Sequence, residues 1–434
     1  MNKKNYLCVA IFLAIISGYS ISLGQIIDSP TDTVAGIPAN YTEAKVGSYT
    51  LPDPLKSLDG QIVKDPQSWF NNRRKEIINL FEQNQFGVVP KDKIEIKYDV
   101  FEKEGSAFDN TAERTQVTLN LSGNQKEKKI DLVYYIPKNV TKPVPVLLYI
   151  SFGANSQVID DPQIKEGFIW NREKQRVPAG RVSRFEKINV RSVLESGFGF
   201  ANVCYGDIEP DFADGFKYGV RSLFKENGDA ASDQSDSWGS IAVWSWGLSR
   251  ILDYFETDNK VDANSIIIMG VSRLGKTVLW AGALDERFAS VIAVCSGESG
   301  AALSRRNYGE TIAHIASPLR YSYWFAPKYQ EYAADVNRLP VDGHMLISLI
   351  APRPLLLVTG NADKWSDPYG EYLAAKTAES VYELLGKKGL ETEKMPSPGK
   401  PVLNDIGFYM HEGGHGMMKE DWEIIFDFLK EHFK

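Results

Sequence analysis

Residues 265–276 read Ser-Ile-Ile-Ile-Met-Gly-Val-Ser-Arg-Leu-Gly-Lys, and this stretch decides the fold. An apolar, β-branched run leads into Gly270, Ser272 and Gly275, and a helix-compatible segment follows. A buried strand, a sharp turn that presents a serine and a helix after it are the parts of a nucleophile elbow. Glycines suit this turn because its strained backbone leaves no room for side chains beside the serine. The common spacing is Gly-x-Ser-x-Gly, so a glycine one residue late makes this elbow a variant.

An acid and then a histidine must follow the serine if Ser272 is the nucleophile of an α/β-hydrolase. A second fully apolar run, residues 354–360, predicts another parallel strand, and Asp363 lies three residues beyond its final glycine. This position after a strand is where the fold conventionally supplies its acid. The spacing therefore favours Asp363 as the partner of the catalytic histidine.

The base is sought among five histidines. His415 lies in the glycine-rich loop Gly413-Gly414-His415-Gly416, ahead of the final amphipathic helix. A loop between the last strand and the last helix is where this fold delivers its base. His411 is the alternative, although its place at the end of a predicted strand also suits a hydrogen-bonded structural role. We favour His415 over His411.

The strand and helix patterns alternate from residue 144 onward, which predicts an α/β-hydrolase with a doubly wound, mostly parallel sheet in a single three-layer domain. We place this catalytic domain at residues 66–434 and an N-terminal arm at 25–65. A long polar stretch, residues 206–237, predicts a packed loop near the site. The predicted central strands are 144–151, 197–204, 265–269, 290–295, 354–360 and 406–410, and the predicted antiparallel edge strands are 94–101, 115–121 and 129–136.

The first 24 residues have the pattern of a secretory signal peptide: Lys3 and Lys4, an apolar run from Leu7 to Ile16, then small residues. The apolar run is too short to span a membrane. We therefore expect an exported, periplasmic or secreted protein, and a monomer. Without these residues 47 basic and 56 acidic side chains remain, a net charge of −9. This balance argues against nucleic acid or an anionic membrane as a partner.

Two cysteines remain after removal of this segment. Cys204 and Cys295 each end a predicted strand, and two other strands would separate them in the sheet. Their Cα atoms would then be farther apart than the limit of about 7 Å for a disulfide. We predict two buried free thiols.

Two cations follow the serine directly. Arg273 is adjacent to Ser272, and Lys276 lies on the same face of the first helical turn. Cations at a helix N-terminus oppose the macrodipole, so we expect a functional reason for them. An anionic or hydroxyl-rich substrate with a developing oxyanion would supply one. Trp365, two residues past Asp363, could provide an aromatic platform for a sugar ring.

Several linked motifs across residues 65–434 together resemble the glucuronoyl esterases. These α/β-hydrolases cleave the ester between lignin alcohols and 4-O-methyl-glucuronic acid side chains of xylan. Fungal members carry a cysteine before the serine, whereas this chain has Val271, so it looks more like the bacterial branch. The motifs that carry the resemblance are Gly270–Lys276, Ser296–Ala301, Arg305-Arg306 with Gly309-Glu310, Trp324-Phe325, Asp363–Trp365, and His415 before Asp421-Trp422.

The resemblance implies a role for each matching residue. Ser272 would be the nucleophile, His415 the base and Arg273 an oxyanion stabiliser. The acid is either Asp363 or Glu298, because the family uses both positions; we lean to Asp363. The substrate ring would be contacted by Lys276, Glu310 and Trp365, with Arg305 as a weaker candidate.

The resemblance implies a glucuronoxylan or lignin–carbohydrate ester as substrate, and the chemistry needs no metal or cofactor. Two other functions stay open. One is an acetyl xylan esterase-type deacetylase, against which Lys276 and Trp365 argue because an acetyl group offers them nothing to hold. The other is a non-catalytic carbohydrate-binding protein that kept the fold, against which the intact Ser/His/acid set argues.

Overall fold

The computed structural model describes residues 33–183, 187–224 and 235–433. The predicted signal peptide, residues 1–24, lies outside the described residues. Within these ranges the strands are β1 (Thr33–Val34), β2 (Ile37–Pro38), β3 (Glu95–Ala107), β4 (Ala112–Gly123), β5 (Lys126–Pro137), β6 (Val144–Ser151), β7 (Phe168–Trp170), β8 (Arg176–Pro178), β9 (Gly199–Cys204), β10 (Val261–Val271), β11 (Phe288–Val294), β12 (Leu355–Gly360), β13 (Val402–Leu403) and β14 (Ile406–His411).

The α-helices in the same ranges vary from single turns to five turns. They are α1 (Pro66–Ser68), α2 (Arg74–Phe81), α3 (Asn155–Val158), α4 (Val190–Glu195), α5 (Tyr205–Ile208), α6 (Ser240–Phe255), α7 (Arg273–Leu284), α8 (Ile312–Ile315), α9 (Gly343–Ser348), α10 (Pro368–Leu384) and α11 (Asp421–Phe433).

A ten-stranded sheet with the order β13-β14-β12-β11-β10-β6-β9-β5-β4-β3 forms the centre of the molecule. The six strands from β14 to β9 pair in parallel, and β13 at one edge and β5, β4 and β3 at the other are antiparallel. The predicted α/β-hydrolase architecture is therefore confirmed. One prediction needs refinement: of the three antiparallel strands only β3 is an edge, because β5 pairs with β9 and β4 lies between β3 and β5.

Both faces of the sheet are covered, as the unbroken apolar character of the central strands requires. Along β10, Ile266 and Ile268 pack on the face that holds α6, α7 and α10. Ile267 and Met269 point to the opposite face, with α4 and α11. Side chains of a strand alternate between the two faces of the sheet, so consecutive apolar residues of β10 contribute to the two hydrophobic cores in turn. The result is the predicted three-layer arrangement.

The predicted strand at 144–151 agrees with β6 at both ends, and the other predicted strands are displaced by a few residues. Cys204 and Cys295 are free and buried. They lie at the ends of β9 and β11, which β6 and β10 separate in the sheet. The prediction of two buried free thiols is confirmed.

Candidate active site

The turn between β10 and α7 has the backbone geometry of an elbow. Ser272 has φ 60° and ψ −125°, a strained conformation for a residue with a side chain. A Cβ on Gly270 would lie 2.3 Å from the carbonyl oxygen of Leu274, and one on Gly275 would lie 3.0 Å from that of Val294. Both glycines are thus needed for close packing, and the late second glycine still serves the turn. The serine amide donates to Val294 at 2.8 Å, which ties the elbow to β11.

His415 and Asp363 meet at the carboxyl end of the parallel strands. Nδ1 of His415 lies 2.7 Å from Oδ2 of Asp363 and 3.1 Å from Oγ of Ser366. Burial by itself would raise the pKa of Asp363, but the hydrogen bonds and charge of His415 and the bonds from Ser366 outweigh it and lower that pKa. Asp363 is therefore an ionised partner that can hold the imidazole in one tautomer.

Glu298 has a different environment. Its Oε1 accepts hydrogen bonds from Ser304 at 2.7 Å and from Ser299 and Tyr329 at 3.3 Å each. Burial raises the pKa of Glu298 to about 8. A carboxyl that holds its proton near neutral pH is a poor stabiliser of an imidazolium, so these contacts favour a structural role for Glu298.

Lys276 is 4% exposed, which is unusual for a lysine. Its Nζ donates to the carbonyl oxygen of Ser296 at 2.5 Å. Burial lowers the pKa of Lys276, and the charges of Glu310, Glu298 and Glu371 act against that shift. The neighbouring carboxyl groups thus offset part of the cost of burying this lysine.

Glu371 on α10 supports the turn that follows β11, and sequence reasoning did not find it. Its Oε1 accepts from Oγ of Ser296 at 3.0 Å and from the amide of Gly297 at 2.6 Å. Its Oε2 is buried and has no hydrogen-bond partner within the described part of the chain. Burial raises the pKa of Glu371 to about 8. This carboxyl therefore fixes the backbone to which Lys276 is bound.

Arg273 is held by an acid from the long polar loop. Its Nη1 forms an ion pair with Asp211, which also accepts from Tyr323 at 2.8 Å and from Nε1 of Trp324 at 2.6 Å. The guanidinium lies over the Trp324 ring, 4.7 Å from its centroid. Burial tends to lower the pKa of Arg273, but Asp211 outweighs it and raises that pKa. In agreement with the prediction, the described part of this loop around Asp211 packs beside the elbow.

Glu310 and Trp365 are neighbours through their backbones. The amide of Glu310 donates to the carbonyl of Trp365 at 2.9 Å, and Arg320 binds the Glu310 carboxylate at 2.8 Å and lies over the Trp365 ring. Trp365 is 8% exposed, so it presents at most an edge to a ligand. Arg305 differs from these residues because its guanidinium donates to the carbonyl oxygens of Val341 and Leu339 and to the Asp342 carboxylate. Such contacts favour a structural role for Arg305.

The N-terminal arm braces the loop that carries Glu310. The carbonyl of Asn40 accepts from the amide of Gly309 at 2.8 Å, and its Nδ2 donates to the carbonyl of Asn307 at 2.6 Å. Arg306 joins Glu43 of the arm at 2.7 Å to Asp367 at 2.8 Å. The arm thus supports the loop that carries Glu310.

His411, the alternative base of the sequence analysis, forms a second buried pair. Its Nδ1 lies 3.0 Å from Oδ1 of Asp421, and its Nε2 lies 2.9 Å from the carbonyl oxygen of Gly414. Oδ2 of Asp421 accepts from the amide of Met418 at 2.6 Å. Both ring nitrogens are therefore engaged in holding the loop, which favours the structural interpretation of His411.

Cys295, Asp363 and His415 have ligand-type atoms within 4.8 Å of one another, a grouping that their distant positions in sequence did not indicate. The facing atoms of Asp363 and His415 are already bonded to each other. We interpret the group as a hydrogen-bonded catalytic pair beside a buried thiol, and not as a metal site.

No helix in the described ranges has the length and apolar character to cross a membrane.

Known proteins share this arrangement of elements. The family model "Glucuronyl esterase, fungi" matches residues 232–386. The carbohydrate esterase MZ0003, from an unknown prokaryotic organism, is 37% identical over 402 residues, 91% of this chain and 92% of that protein. A solved glucuronoyl esterase from Solibacter usitatus is 39% identical with a TM-score of 0.84, over 90% of this chain and all of that one. The chain belongs to the glucuronoyl esterase family.

Relatives within the glucuronoyl esterase family differ in how much of the chain they match. The 4-O-methyl-glucuronoyl methylesterase of Podospora anserina is 32% identical over 160 residues, 35% of this chain and 33% of that protein. Over a similar share of this chain, 88–91%, the methylesterase of Neurospora crassa is 24% identical and a solved esterase from a marine bacterial metagenome is 37% identical. The predicted resemblance to the bacterial branch is therefore confirmed. As a member of the glucuronoyl esterase family, the protein is a carboxylic ester hydrolase.

Three functional candidates emerged only from the structure: Asp211, Ser366 and Glu371. Asp211 lies in a polar stretch with many acids, and Glu371 lies on a helix with two further glutamates, so sequence does not single either residue out. Ser366 alone carried a usable signal, because a serine three residues after an aspartate suits an Asp-capped turn. The amide of Ser366 does donate to Oδ1 of Asp363 at 3.2 Å.

Proposed function

We propose that this protein hydrolyses the ester between (4-O-methyl-)glucuronic acid side chains of xylan and lignin alcohols. The observation that carries the proposal is Lys276, a buried cation one helical turn after Ser272 on α7. A lysine that lies close to the nucleophile and has carboxyl groups around it suits the hydroxyl groups and ring oxygen of a uronate. A glucuronoyl esterase and a 4-O-methyl-glucuronoyl methylesterase among the relatives support the same substrate class.

In the proposed reaction Ser272 attacks the C6 carbonyl carbon of the uronate ester. His415 takes the serine proton through Nε2, because Asp363 binds Nδ1, and then gives this proton to the leaving alcohol. Water, activated by the same imidazole, hydrolyses the acyl-enzyme and regenerates Ser272. The amide of Arg273, at the start of α7, would stabilise the oxyanion, and its side-chain charge adds to the local positive potential. This chemistry requires no metal or cofactor.

The proposed ligand contacts are Lys276, Glu310 and Trp365. The proposal also includes export to the periplasm or the medium, which the leader-like first 24 residues support, and action as a monomer. The acidic net charge of −7 supports a neutral or polysaccharide partner over nucleic acid or an anionic membrane.

The test compares benzyl glucuronate with a simple acetate ester for the wild type and Ser272→Ala. We expect a strong preference for the glucuronate ester and a drop of at least about a thousandfold on Ser272→Ala, with the melting temperature almost unchanged. Preference for the acetate ester would instead establish the deacetylase function. Wild type without hydrolysis of either ester would contradict both and leave the carbohydrate-binding function.

A further inference from the structure

Beside the contact of His415 with Asp363 and the bond of the Gly416 amide to Sγ of Cys295, two further sets of contacts hold the loop that carries His415. Backbone bonds join it to the loop that carries Asp363: Asn361 donates to His411 at 3.0 Å, and Ala362 donates to Gly413 at 2.9 Å. The second fastening is the side chain of His411, which reaches the carbonyl of Gly414, the residue before His415. The ring of His411 is therefore one of the contacts that hold the loop of His415 in place.

Both ring nitrogens of His411 face acceptors. A neutral imidazole has one N–H, so it can donate either to the Gly414 carbonyl or to the Asp421 carboxylate, and not to both. Oδ1 of Asp421 faces Nδ1 of His411 at 3.0 Å, and Oδ2 is bound by the amide of Met418. Two donated bonds require a proton on each nitrogen.

The extra proton belongs on the imidazole and not on the carboxyl. Asp421 is the first residue of α11, where the helix dipole and the amide of Met418 stabilise a carboxylate. Burial tends to lower the pKa of His411, but the hydrogen bond and charge of Asp421 and the bond to Gly414 outweigh it and raise that pKa. Both residues are 0% exposed, so the charge pair is shielded from solvent.

We propose that His411 is a positioning residue: as an imidazolium clamped between Asp421 and Gly414, it holds the loop of the general base in the productive position. The inference rests on the proposed role of His415. Loss of the second proton removes one of the two bonds and releases Gly414 or Asp421. The loop then loosens at alkaline pH, and the imidazole of His415 departs from Ser272.

The charged groups near His411 come from one side. Asp421 and Glu420 contribute negative charge from the start of α11 and the residue before it. On the other side β12 presents Gly360, where a Cβ would lie 2.7 Å from Nε2 of His411. Cys295 lies at the end of β11, and burial, with a smaller contribution from the charge of Asp421, raises the pKa of its thiol. The nearby groups therefore favour the imidazolium.

Asp421→Asn is the matched variant. An asparagine can accept from Met418 through its oxygen and donate to Nδ1 of His411 through its nitrogen, which leaves His411 neutral with its Nε2 proton on Gly414. Every bond survives, but the need for the second proton is gone. Glu420→Gln is the control, because it removes an exposed neighbouring charge without touching the ring.

The experiment measures the His411 pKa by NMR of ¹⁵N-histidine-labelled protein, together with kcat against pH. We expect the wild-type ring to titrate above the ordinary histidine range, with kcat falling over the same pH interval. Asp421→Asn should abolish that alkaline fall and leave the acid limb unchanged, while Glu420→Gln should keep the alkaline fall with at most a small shift to lower pH. Wild-type His411 titrating at or below the ordinary range, or an alkaline limb that persists unchanged in Asp421→Asn, would overturn the proposal.

The NMR titration needs no catalysis, so it separates this inference from the proposed function. If His415→Ala keeps activity while His411 titrates high, the assignment of the base is wrong and the clamp on the loop stands. If Asp421→Asn does not fold, two wild-type measurements test the proposal instead. They are the titration of His411 and the hydrogen exchange of the Gly414 and His415 backbone amides across the same pH interval. After correction for the base-catalysed rise of intrinsic exchange with pH, a loss of protection above the pKa of His411 supports the clamp, and unchanged protection contradicts it.

Discussion

Arg273 and Asp211 form an ion pair beside the nucleophilic turn, with the guanidinium stacked on Trp324. The pair explains how a cation can occupy the first position of α7, where the helix dipole opposes it. Asp211 comes from the loop after α5, so part of that loop belongs to the site although it contributes no residue to the reaction itself.

We expect Asp211→Ala to lower kcat/KM on benzyl glucuronate by about ten- to a hundredfold, the value of one charge-assisted hydrogen bond of about 1.5–3 kcal/mol. The physical reason is that Arg273 loses its orientation. Asp214→Ala removes an acid of the same loop that pairs with Lys174, and it serves as the control. Equal rates for the two variants would show that the ion pair does not contribute.

Lys276→Ala should reduce hydrolysis of glucuronate esters by about ten- to a hundredfold, because one hydrogen bond from a charged donor is lost. Acetate esters, which lack the ring, should be affected much less. Lys364, an exposed lysine in the loop after Asp363, provides the control Lys364→Ala. A similar loss on both substrates would mean that Lys276 is structural and would remove the main support for a uronate site.

The acid is tested by Asp363→Ala and Glu298→Gln. Asp363 binds the imidazole, so its loss should lower kcat by roughly a thousandfold or more. Glu298→Gln keeps the acceptor for Ser304 and should retain most of the activity. An active Asp363→Ala together with an inactive Glu298→Gln would reverse the assignment.

Glu371 makes stability depend on pH. In the folded protein Glu371 keeps its proton up to a pKa of about 8, whereas in the unfolded chain it releases the proton at about 4.3. The folded state therefore binds more protons in this window, and the free energy of unfolding falls as pH rises through it. Glu371→Gln mimics the protonated form.

We expect Glu371→Gln to lose less stability than wild type between pH 5 and 9, by on the order of a few kcal/mol given about 1.4 kcal/mol per pKa unit. Urea denaturation at several pH values measures this difference. Glu383→Gln, an exposed change on the same helix α10, should follow the wild type. Parallel pH curves for wild type and Glu371→Gln would contradict a raised pKa.

The fold and the order of the site were predictable because they depend on local patterns. The apolar runs that became β6, β10 and β12 are buried on both faces, so their composition alone marks them. Ser272, Asp363 and His415 each follow a strand of this kind, and parallel strands bring such loops to one edge. The same reasoning placed His411 at the end of a strand.

The parts that sequence could not supply depend on side chains reaching across long separations. Asp211 meets Arg273 and Glu371 meets Ser296 only because the tertiary fold brings distinct loops together. Local periodicity contains no information on these pairs. The family resemblance left Glu298 as a second candidate acid beside the favoured Asp363, and the bond of Glu298 to Ser304 and that of Asp363 to His415 distinguish them. Arg305 looked available for a ligand because its use by the 339–342 backbone is invisible in sequence.

The contact between Asn40 and Asn307 spans 267 residues. The N-terminal arm precedes the catalytic sheet in the chain, yet its partners are made only after most of that sheet has been synthesised. We expect its docking to come late in folding, because closing so large a loop is entropically unfavourable until the intervening strands are in place. Contacts formed after the transition state chiefly govern the unfolding rate. We therefore expect the contacts of the arm with the loop of Glu310 to slow unfolding more than they speed folding.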